Sequence, residues 1–465
     1  MMRPMDFRSA VAAATDALEP HLRRIERGEG PAVALPPVAA VSEQLGLRRW
    51  IREGGMDIAE LGEFLEAYLG LSARLGHPDE LAHQVAVPDV PAAVADLVHG
   101  ATNNPMAIYE MGPAAATIEV EIVDWMLAKV GFDADRAGGV LTHGGSLANL
   151  TALLAARAHA APAAWRAGAP SDLALLAAPA AHYSVARAAG ILGLGTDAIV
   201  PLPADDLDRL DATRMHEAIE SAREAGRRPF ALVAAACATG TGLHDDLRAA
   251  ADFCREHGLW LHVDAAHGGS ALLSARHRPL LSGIERANSV IWDAHKLLRV
   301  SGLCAAVLVR EAGTLDSAFQ QEASYLIYDR ESEGVDLLSR AVECTKAELG
   351  LKVFLELASR GERGLGDDVA SRYDLTHEVY GLLSERAGFT CPYEPETNIL
   401  CFRVDGGDQE QLRVRDALMA SGEVHLSSTL LGGRRHLRIV VTSPAATRET
   451  LGRTIDAIAR VAGRR

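Results

Sequence analysis

The sequence predicts an α/β fold whose centre is a mainly parallel sheet covered by helices. The first observation is that short apolar runs alternate with helical patterns, such as the one at residues 245–257. The second is that 48% of the 465 residues are apolar, which is enough for a large buried core. Six apolar runs have the length of buried strands: residues 173–178, 198–202, 230–235, 259–263, 289–292 and 304–309.

The rest of the chain divides into two further parts. Residues 1–75 read as a helical segment that precedes a large domain at residues 76–360. A long helical pattern at residues 340–361 connects that domain to residues 361–465. This last part predicts a small α+β domain, with strands at 398–404 and 436–442 and helices at 409–420 and 446–460.

Composition and charge exclude several classes of function. Acidic residues outnumber lysine and arginine by 62 to 46, so the net charge is −16, which argues against a broad basic face for nucleic acid. No uninterrupted apolar run reaches ~18 residues, so we expect no membrane span. The first residues lack a convincing signal-peptide layout, and the six cysteines form no CxxC pair. Both features favour a cytoplasmic protein with reduced thiols.

Lysine is rare in this chain. It occurs only as Lys129, Lys296, Lys346 and Lys352, and every other basic residue is arginine. Arginine does not lose its proton and attack as an amine, whereas lysine does. Any Schiff-base chemistry must therefore use one of these four side chains or the N-terminal amine.

A glycine loop leads into a helical pattern at residues 138–150, GGVLTHGGSLANL. Glycine lets the backbone approach an anion, and free N–H groups at a helix start attract it, so Gly145 and Ser146 are candidates for holding a phosphate. An ordinary loop with a serine cap is a second interpretation. A serine hydrolase is a third, although Ala148 stands where a nucleophile elbow has glycine.

A carboxylate ends the next cluster, LWLHVDAAHGG. Asp264 follows the apolar run at residues 259–263, and ligands bind at the carboxyl ends of strands in open α/β sheets. A buried carboxylate there needs a cationic partner. A metal site made of His262, Asp264 and His267 is an alternative, but no further ligand set accompanies these residues, so the sequence predicts no metal.

Lys296 and His182 complete the pattern. Lys296 follows the run at residues 289–292, and His182 follows the run at residues 173–178. The order is anion loop, histidine, strand-end aspartate and strand-end lysine, which describes a site for pyridoxal 5'-phosphate (PLP). PLP needs a phosphate cradle, a flat stacking partner, a carboxylate for its ring nitrogen and an amine for its aldehyde.

Together these motifs resemble the group II PLP-dependent amino-acid decarboxylases, a branch of the type I, aspartate-aminotransferase-like fold. GVLTHGGSLANLTAL, HVDAAHGG and DAHK carry the resemblance, which runs from about residue 77 to residue 444. It implies a PLP-dependent transferase fold with a seven-stranded type of sheet. It also implies decarboxylation of an L-amino acid by a homodimer with sites at the subunit interface.

The resemblance implies roles for individual residues. Lys296 matches the lysine that binds the PLP aldehyde, Asp264 the partner of the ring nitrogen, and His182 the histidine stacked on the ring. The other implied cofactor contacts are Gly145, Ser146, Thr239, Ala266, Asp293 and His295. Gln84 and Arg438 match residues associated with the substrate.

Tyr325, 29 residues after Lys296, matches a loop tyrosine that protonates the product and favours a plain amine over an aldehyde. Three departures concern the pocket: Ala294 replaces a common proline, His267 a common Trp or Tyr, and Ala86 the serine of glutamate decarboxylase. Other positions lean toward the glutamate and cysteine-sulfinate branch, so we expect an acidic substrate. A diaminobutyrate or aromatic amino-acid decarboxylase, or a decarboxylating oxidase or aminotransferase, stays open.

Overall fold

The part of the chain before residue 131 is helical. The computed structural model describes residues 5–319 and 334–463. Its first six helices are α1 (Phe7–Glu26), α2 (Val38–Gln44), α3 (Leu47–Glu53), α4 (Ile58–Gly70), α5 (Val90–Thr102) and α6 (Pro113–Val130). A capping box starts α4, because the side chains of Asp57 and Glu60 each accept a hydrogen bond from the other's backbone N–H.

A seven-stranded sheet forms the centre of the molecule. Its strands are β1 (Gly138–Thr142), β2 (Leu173–Ala177), β3 (Ile199–Pro201), β4 (Arg228–Ala235), β5 (Trp260–Asp264), β6 (Ser289–Asp293) and β7 (Ala305–Val309). Their order across the sheet is β1-β7-β6-β5-β4-β2-β3. All neighbours from β6 to β3 are parallel, whereas β7 runs antiparallel to β6 and β1. The prediction of a mainly parallel sheet is confirmed.

Helices cover both faces of this sheet. They are α7 (Gly145–Ala160), α8 (Ala164–Ala167), α9 (Tyr183–Ile191), α10 (Met215–Glu224), α11 (Leu247–His257), α12 (Ala294–Leu297) and α13 (Gly313–Ala318). Every residue of β2, β5, β6 and β7 is buried, as expected for strands with helices on both sides. Within the described residues, no helix combines the length and the apolar character needed to cross a bilayer.

Strand β1 is the element of this sheet that the sequence analysis missed, since it read residues 138–142 as part of a glycine loop. The two glycines that hid the strand have a structural reason. A Cβ on Gly139 would lie 2.5 Å from the carbonyl oxygen of Val307 on β7, so the two backbones pack too closely for any side chain.

The predicted connector helix at residues 340–361 is wrong at its start but right at its end. The helical span α14 (Leu349–Ser384) begins later, and it consists of two helices separated by a kink at Gly361, where φ is 68°. The later start follows from side-chain contacts of the preceding residues. Glu348 accepts hydrogen bonds from Asn104 and Thr102 at 3.0 and 3.2 Å, which holds this backbone against α5. The domain boundaries at residues 75 and 360 stay a prediction.

The C-terminal part carries a second sheet. Its strands are β8 (Phe389–Thr390), β9 (Ile399–Val404), β10 (Ser427–Leu431) and β11 (Arg434–Val440), all antiparallel, in the order β10-β11-β9-β8. Helices α15 (Asp408–Ser421) and α16 (Arg448–Val461) complete it. The elements predicted here end within two residues of the observed ones, and β8 and β10 were not predicted.

A buried ion pair fixes β1 in place. The Lys346 ammonium group binds the Glu119 carboxylate of α6 and donates to the Leu141 carbonyl at 2.5 Å. The same carboxylate accepts the Leu141 backbone N–H at 2.9 Å. Both charged side chains are at most 2% exposed, so each depends on the other for compensation of its charge.

We expect the substitution Lys346→Met to lower the free energy of unfolding by about 3–5 kcal/mol, because it leaves the buried Glu119 charge unpaired. The matched control is Lys129→Met, which breaks the more exposed pair with Glu362 and should cost less than about 1 kcal/mol. Urea unfolding of the two variants measures both values. Equal losses would show that the Lys346 pair contributes no more than a surface pair.

Candidate active site

The carboxyl ends of the parallel strands open onto a cavity of about 240 Å³. All nine residues predicted to contact PLP line it: Gly145, Ser146, His182, Thr239, Asp264, Ala266, Asp293, His295 and Lys296. A wider surface cleft of about 970 Å³ beside α1 and α4 contains none of them. The sheet therefore brings together groups that are far apart in the sequence.

Lys296 lies on α12, the single helical turn that follows β6. Its ammonium nitrogen is 3.5 Å from Oδ2 of Asp293. The other three lysines are paired elsewhere: Lys346 as described, Lys352 with Asp96 at 2.7 Å, and Lys129 with Glu362. Lys296 is thus the lysine that lines the cavity.

Asp264 ends β5 at the centre of the sheet, in register with Ala235 of β4 and Ile291 of β6. Its carboxylate is buried and accepts two hydrogen bonds, one from Nδ2 of Asn149 at 2.9 Å and one from the Ala266 N–H at 3.2 Å. These donors stabilise a negative charge that has been removed from water.

His182 is the N-cap residue of α9, and its Nδ1 lies 2.7 Å from Oγ of Ser184. Burial lowers the pKa of His182, and the nearby Asp264 carboxylate opposes that shift only in part. The imidazole is therefore neutral at neutral pH, which leaves a flat, uncharged ring on the cavity wall.

Asp293 closes the cavity near the glycine loop. Burial raises the pKa of Asp293, and the neighbouring Lys296 and His295 oppose the shift. Its Oδ1 is buried and has no hydrogen-bond partner among the described residues. A Cβ on Gly145 would lie 2.7 Å from Oδ2, so glycine is needed here for the start of α7 to approach the carboxyl group.

The predicted substrate residues lie beside the cavity rather than in its lining. The guanidinium of Arg438 is buried behind Thr239, where it donates to the carbonyl oxygens of Thr239 at 2.8 Å and Ala82 at 3.0 Å. Gln84 lies in the segment that follows Ala82, with its Nε2 buried and unpartnered among the described residues. Tyr325 lies outside the described residues.

Several functional candidates were missed by the sequence analysis. Asn149 lies one helical turn after Gly145 on α7, and that spacing was the available signal. Cys237 lines the cavity, but burial raises the pKa of its thiol to about 12, which makes it unreactive. His267, in contrast, was named by the sequence analysis as a departure in the pocket, and it does line the cavity. It donates from Nε2 to Oδ1 of Asn398 at 2.7 Å, and burial lowers its pKa to about 3.

The alternative of a metal site at HxDxxH is not supported by the contacts. The two ring nitrogens of His262 are taken by Ser289 and Asn149, each at 2.8 Å. Within residues 5–319 and 334–463, the cluster with metal-ligand spacing is a different one, formed at the surface by His216, Glu256 and His257.

Comparison with known families identifies the chain. A family model described as the pyridoxal-dependent decarboxylase conserved domain matches residues 65–405. The chain belongs to this family of decarboxylases. It is therefore a PLP-dependent carboxy-lyase that acts on an amino acid, and the predicted family, cofactor and enzyme class are confirmed.

Individual relatives of this decarboxylase differ in their substrates. Cysteine sulfinic acid decarboxylase of Rattus norvegicus is 34% identical over 345 residues, which cover 73% of this chain and 70% of the relative. L-2,4-diaminobutyrate decarboxylase of Acinetobacter baumannii is 28% identical over 418 residues, or 84% and 82% of the two chains. The crystal structure of mouse cysteine sulfinic acid decarboxylase in the apo form superposes with a TM-score of 0.89 at 27% identity, covering 98% of each chain.

The residues around the cavity fit PLP. The amine of Lys296 suits its aldehyde, and the carboxylate of Asp264 suits a protonated ring nitrogen. The N-terminus of α7, with Gly145 and Ser146, presents backbone N–H groups that are not used within the helix and suit a phosphate. Asp293 adds a carboxyl group with an unpartnered oxygen beside Lys296.

We expect PLP to be trapped on Lys296 alone when the PLP-loaded protein is reduced with borohydride. The reason is that Lys296 lines the cavity while the other three lysines are held in ion pairs outside it. Peptide mass spectrometry locates the label. Lys129→Ala should keep the label and Lys296→Ala should lose it; a labelled Lys296→Ala protein would contradict the assignment.

Proposed function

We propose that this decarboxylase converts a small acidic L-amino acid, of the cysteine-sulfinate, aspartate or glutamate type, to its amine and CO2. The observation that carries the catalytic part is the convergence of Lys296, Asp264 and His182 on one cavity. The acidic substrate is supported by the 34% identity to a cysteine sulfinic acid decarboxylase. The diaminobutyrate alternative has a specific observation in its favour too, the 84% coverage by a relative with that activity.

Each cavity residue has a proposed task. Bound PLP supplies a ring that takes up the electrons released when CO2 leaves. Asp264 would hold the proton on the ring nitrogen, and His182 would offer its neutral imidazole as a flat partner for the ring, with Ala266 small enough to leave room. The amine of Lys296 would bind the aldehyde of the cofactor. The start of α7 would hold the phosphate.

An acidic substrate brings a second carboxylate, which requires hydrogen-bond donors or a cation. Arg438 remains charged at any ordinary pH and has a buried Nε without a partner among the described residues. Nε2 of Gln84 is also buried and has no hydrogen-bond partner among the described residues. We propose that these two groups bind the carboxylates of the substrate, with small movements that bring them to the cavity.

The assembly and location are proposals as well. The helix α5 exposes Val90, Val94, Leu97 and Val98, an apolar stripe that a second copy of the chain would cover in a homodimer. Sedimentation should give about twice the chain mass of 49.4 kDa, and a monomer mass would contradict this proposal. The six free cysteines support a reducing compartment, in agreement with a cytoplasmic protein.

We expect the highest kcat/KM for cysteine sulfinate, aspartate or glutamate when the protein is supplied with PLP and screened against acidic, basic, aromatic and small amino acids. The preference over diaminobutyrate should be at least about tenfold, because an uncompensated charge in the cavity costs more than the ~1.4 kcal/mol that corresponds to a factor of ten. Measurement of CO2, amine and keto acid identifies the reaction. A preference for diaminobutyrate would contradict the proposal of an acidic substrate but would agree with the assignment of the protein as a decarboxylase.

Tyr325 is proposed to protonate the carbon from which CO2 has left. In the same screen, run in air, Tyr325→Phe should lower the rate of amine formation by about 100-fold, within the range of general acid catalysis. It should also raise the share of aldehyde in the product, with dissolved O2 as the two-electron oxidant. Tyr328→Phe is the matched control and should keep both values. Equal effects of the two substitutions would exclude the specific role of Tyr325.

A further inference from the structure

A chain of hydrogen bonds runs along the wall of the cavity from the core of the sheet to His182. Asn149 lies at its centre and is 1% exposed. The Asn149 side chain contacts three groups on two different elements: Asp264 and His262 on β5, and Ser184 on α9. None of the proposed catalytic tasks uses this amide directly.

The orientation of the Asn149 amide follows from its neighbours. The Asp264 carboxylate only accepts hydrogen bonds, so the group 2.9 Å from it must be the NH2 of Asn149. The same NH2 donates to Oγ of Ser184 at 2.8 Å. The amide oxygen then accepts from Nε2 of His262 at 2.8 Å.

The indole N–H of Trp260, which can only donate, fixes the other end of the hydrogen-bond chain. Nε1 of Trp260 donates to Oγ of Ser289 at 2.8 Å, so the Ser289 hydroxyl proton is free to point to Nδ1 of His262 at 2.8 Å. The proton of His262 is therefore on Nε2, where it meets the Asn149 oxygen. Burial lowers the pKa of His262 to about 4, so this imidazole is neutral.

The hydrogen-bond chain ends at His182. Because Ser184 Oγ accepts from Asn149, its own proton is available for Nδ1 of His182, 2.7 Å away. The backbone N–H of Ser184 also lies 3.3 Å from this Nδ1. With two donors directed at Nδ1, the neutral imidazole carries its proton on Nε2.

We propose that Asn149 is a positioning residue that couples the carboxylate of Asp264 to the tautomer of His182. Its NH2 group holds one oxygen of Asp264 and at the same time directs the Ser184 hydroxyl toward His182. One amide thereby fixes both the position of the Asp264 carboxylate and the tautomer of His182, the two groups proposed to hold the PLP ring. This inference rests on the roles proposed for Asp264 and His182 and does not depend on which amino acid is decarboxylated.

The substitution Asn149→Asp tests the coupling because it keeps the size of the side chain and replaces the donor by an acceptor. The introduced carboxyl group would share a proton with the adjacent Asp264, and it still offers Ser184 an acceptor where the amide had offered a donor. Ser184 can then donate its proton to this group and no longer to His182. We expect the proton of His182 to move from Nε2 toward Nδ1, two hydrogen bonds away from the altered atom. In Asn149→Ala, by contrast, Ser184 still donates to His182, and the tautomer should be unchanged.

The readout is ¹⁵N NMR of histidine-labelled protein without PLP, with the signals of His182 assigned from their loss in His182→Gln. A matched control is Asn288→Asp, at an asparagine directly before β6 whose side-chain oxygen accepts the Leu261 N–H at 2.8 Å. It should leave the His182 signals at their wild-type positions. If Asn149→Asp does not fold, Ser184→Ala removes the same donor and should shift the tautomer in the same direction.

A second readout is the affinity for PLP. Loss of a hydrogen bond to the charged Asp264 in Asn149→Ala should raise the dissociation constant of PLP about tenfold, whereas Asn288→Asp should not change it. Wild-type His182 signals in both Asn149→Asp and Ser184→Ala would overturn the inference. Because these measurements use no amino-acid substrate, they are independent of the outcome of the substrate screen.

Discussion

A carboxylate removed from water at the end of a central strand imposes the main constraint on this structure. Asp264 is buried, and a buried charge is tolerated only where donors surround it. One donor comes from Ala266, on the turn that leaves β5, and the other from Asn149 on α7. The position of α7 is in turn set by β1, which the pair of Lys346 and Glu119 holds against α6. The cavity therefore depends on contacts that lie well behind it.

The second sheet supports the wall of the same cavity although its strands lie far along the chain from those of the first. Asn398, directly before β9, holds the imidazole of His267, and Arg438 on β11 holds the carbonyl groups of Thr239 and Ala82. The amide of Asn398 also donates to the Val441 carbonyl at 3.1 Å. The second sheet and the segment that precedes α5 thus support the residues that line the cavity, although neither lines it. A movement of the smaller sheet would change the shape of the substrate space.

Patterns local in sequence were sufficient for much of the fold and for part of the site. Strand-end positions of Asp264 and Lys296 follow from apolar runs of a few residues, and the topology of a parallel sheet then brings them together. The role of Asn149 could not be predicted in this way, because its partners Asp264 and His262 lie 115 and 113 residues away. Strand β1 was missed because close packing, against the backbone of β7 at Gly139 and against Ala312 at Gly138, requires glycines where an apolar run would have marked a strand.

The distribution of the four lysines has a practical consequence for chemical modification. Lys346 and Lys352 have side chains that are 2% and 7% exposed, Lys296 is in the cavity, and Lys129 is 23% exposed in an ion pair. Arginine forms the rest of the basic surface and does not react with acylating reagents. Succinimide esters and amine cross-linkers will therefore find few targets on the described surface. Fluorophores and immobilisation chemistry are better directed to the exposed Cys344.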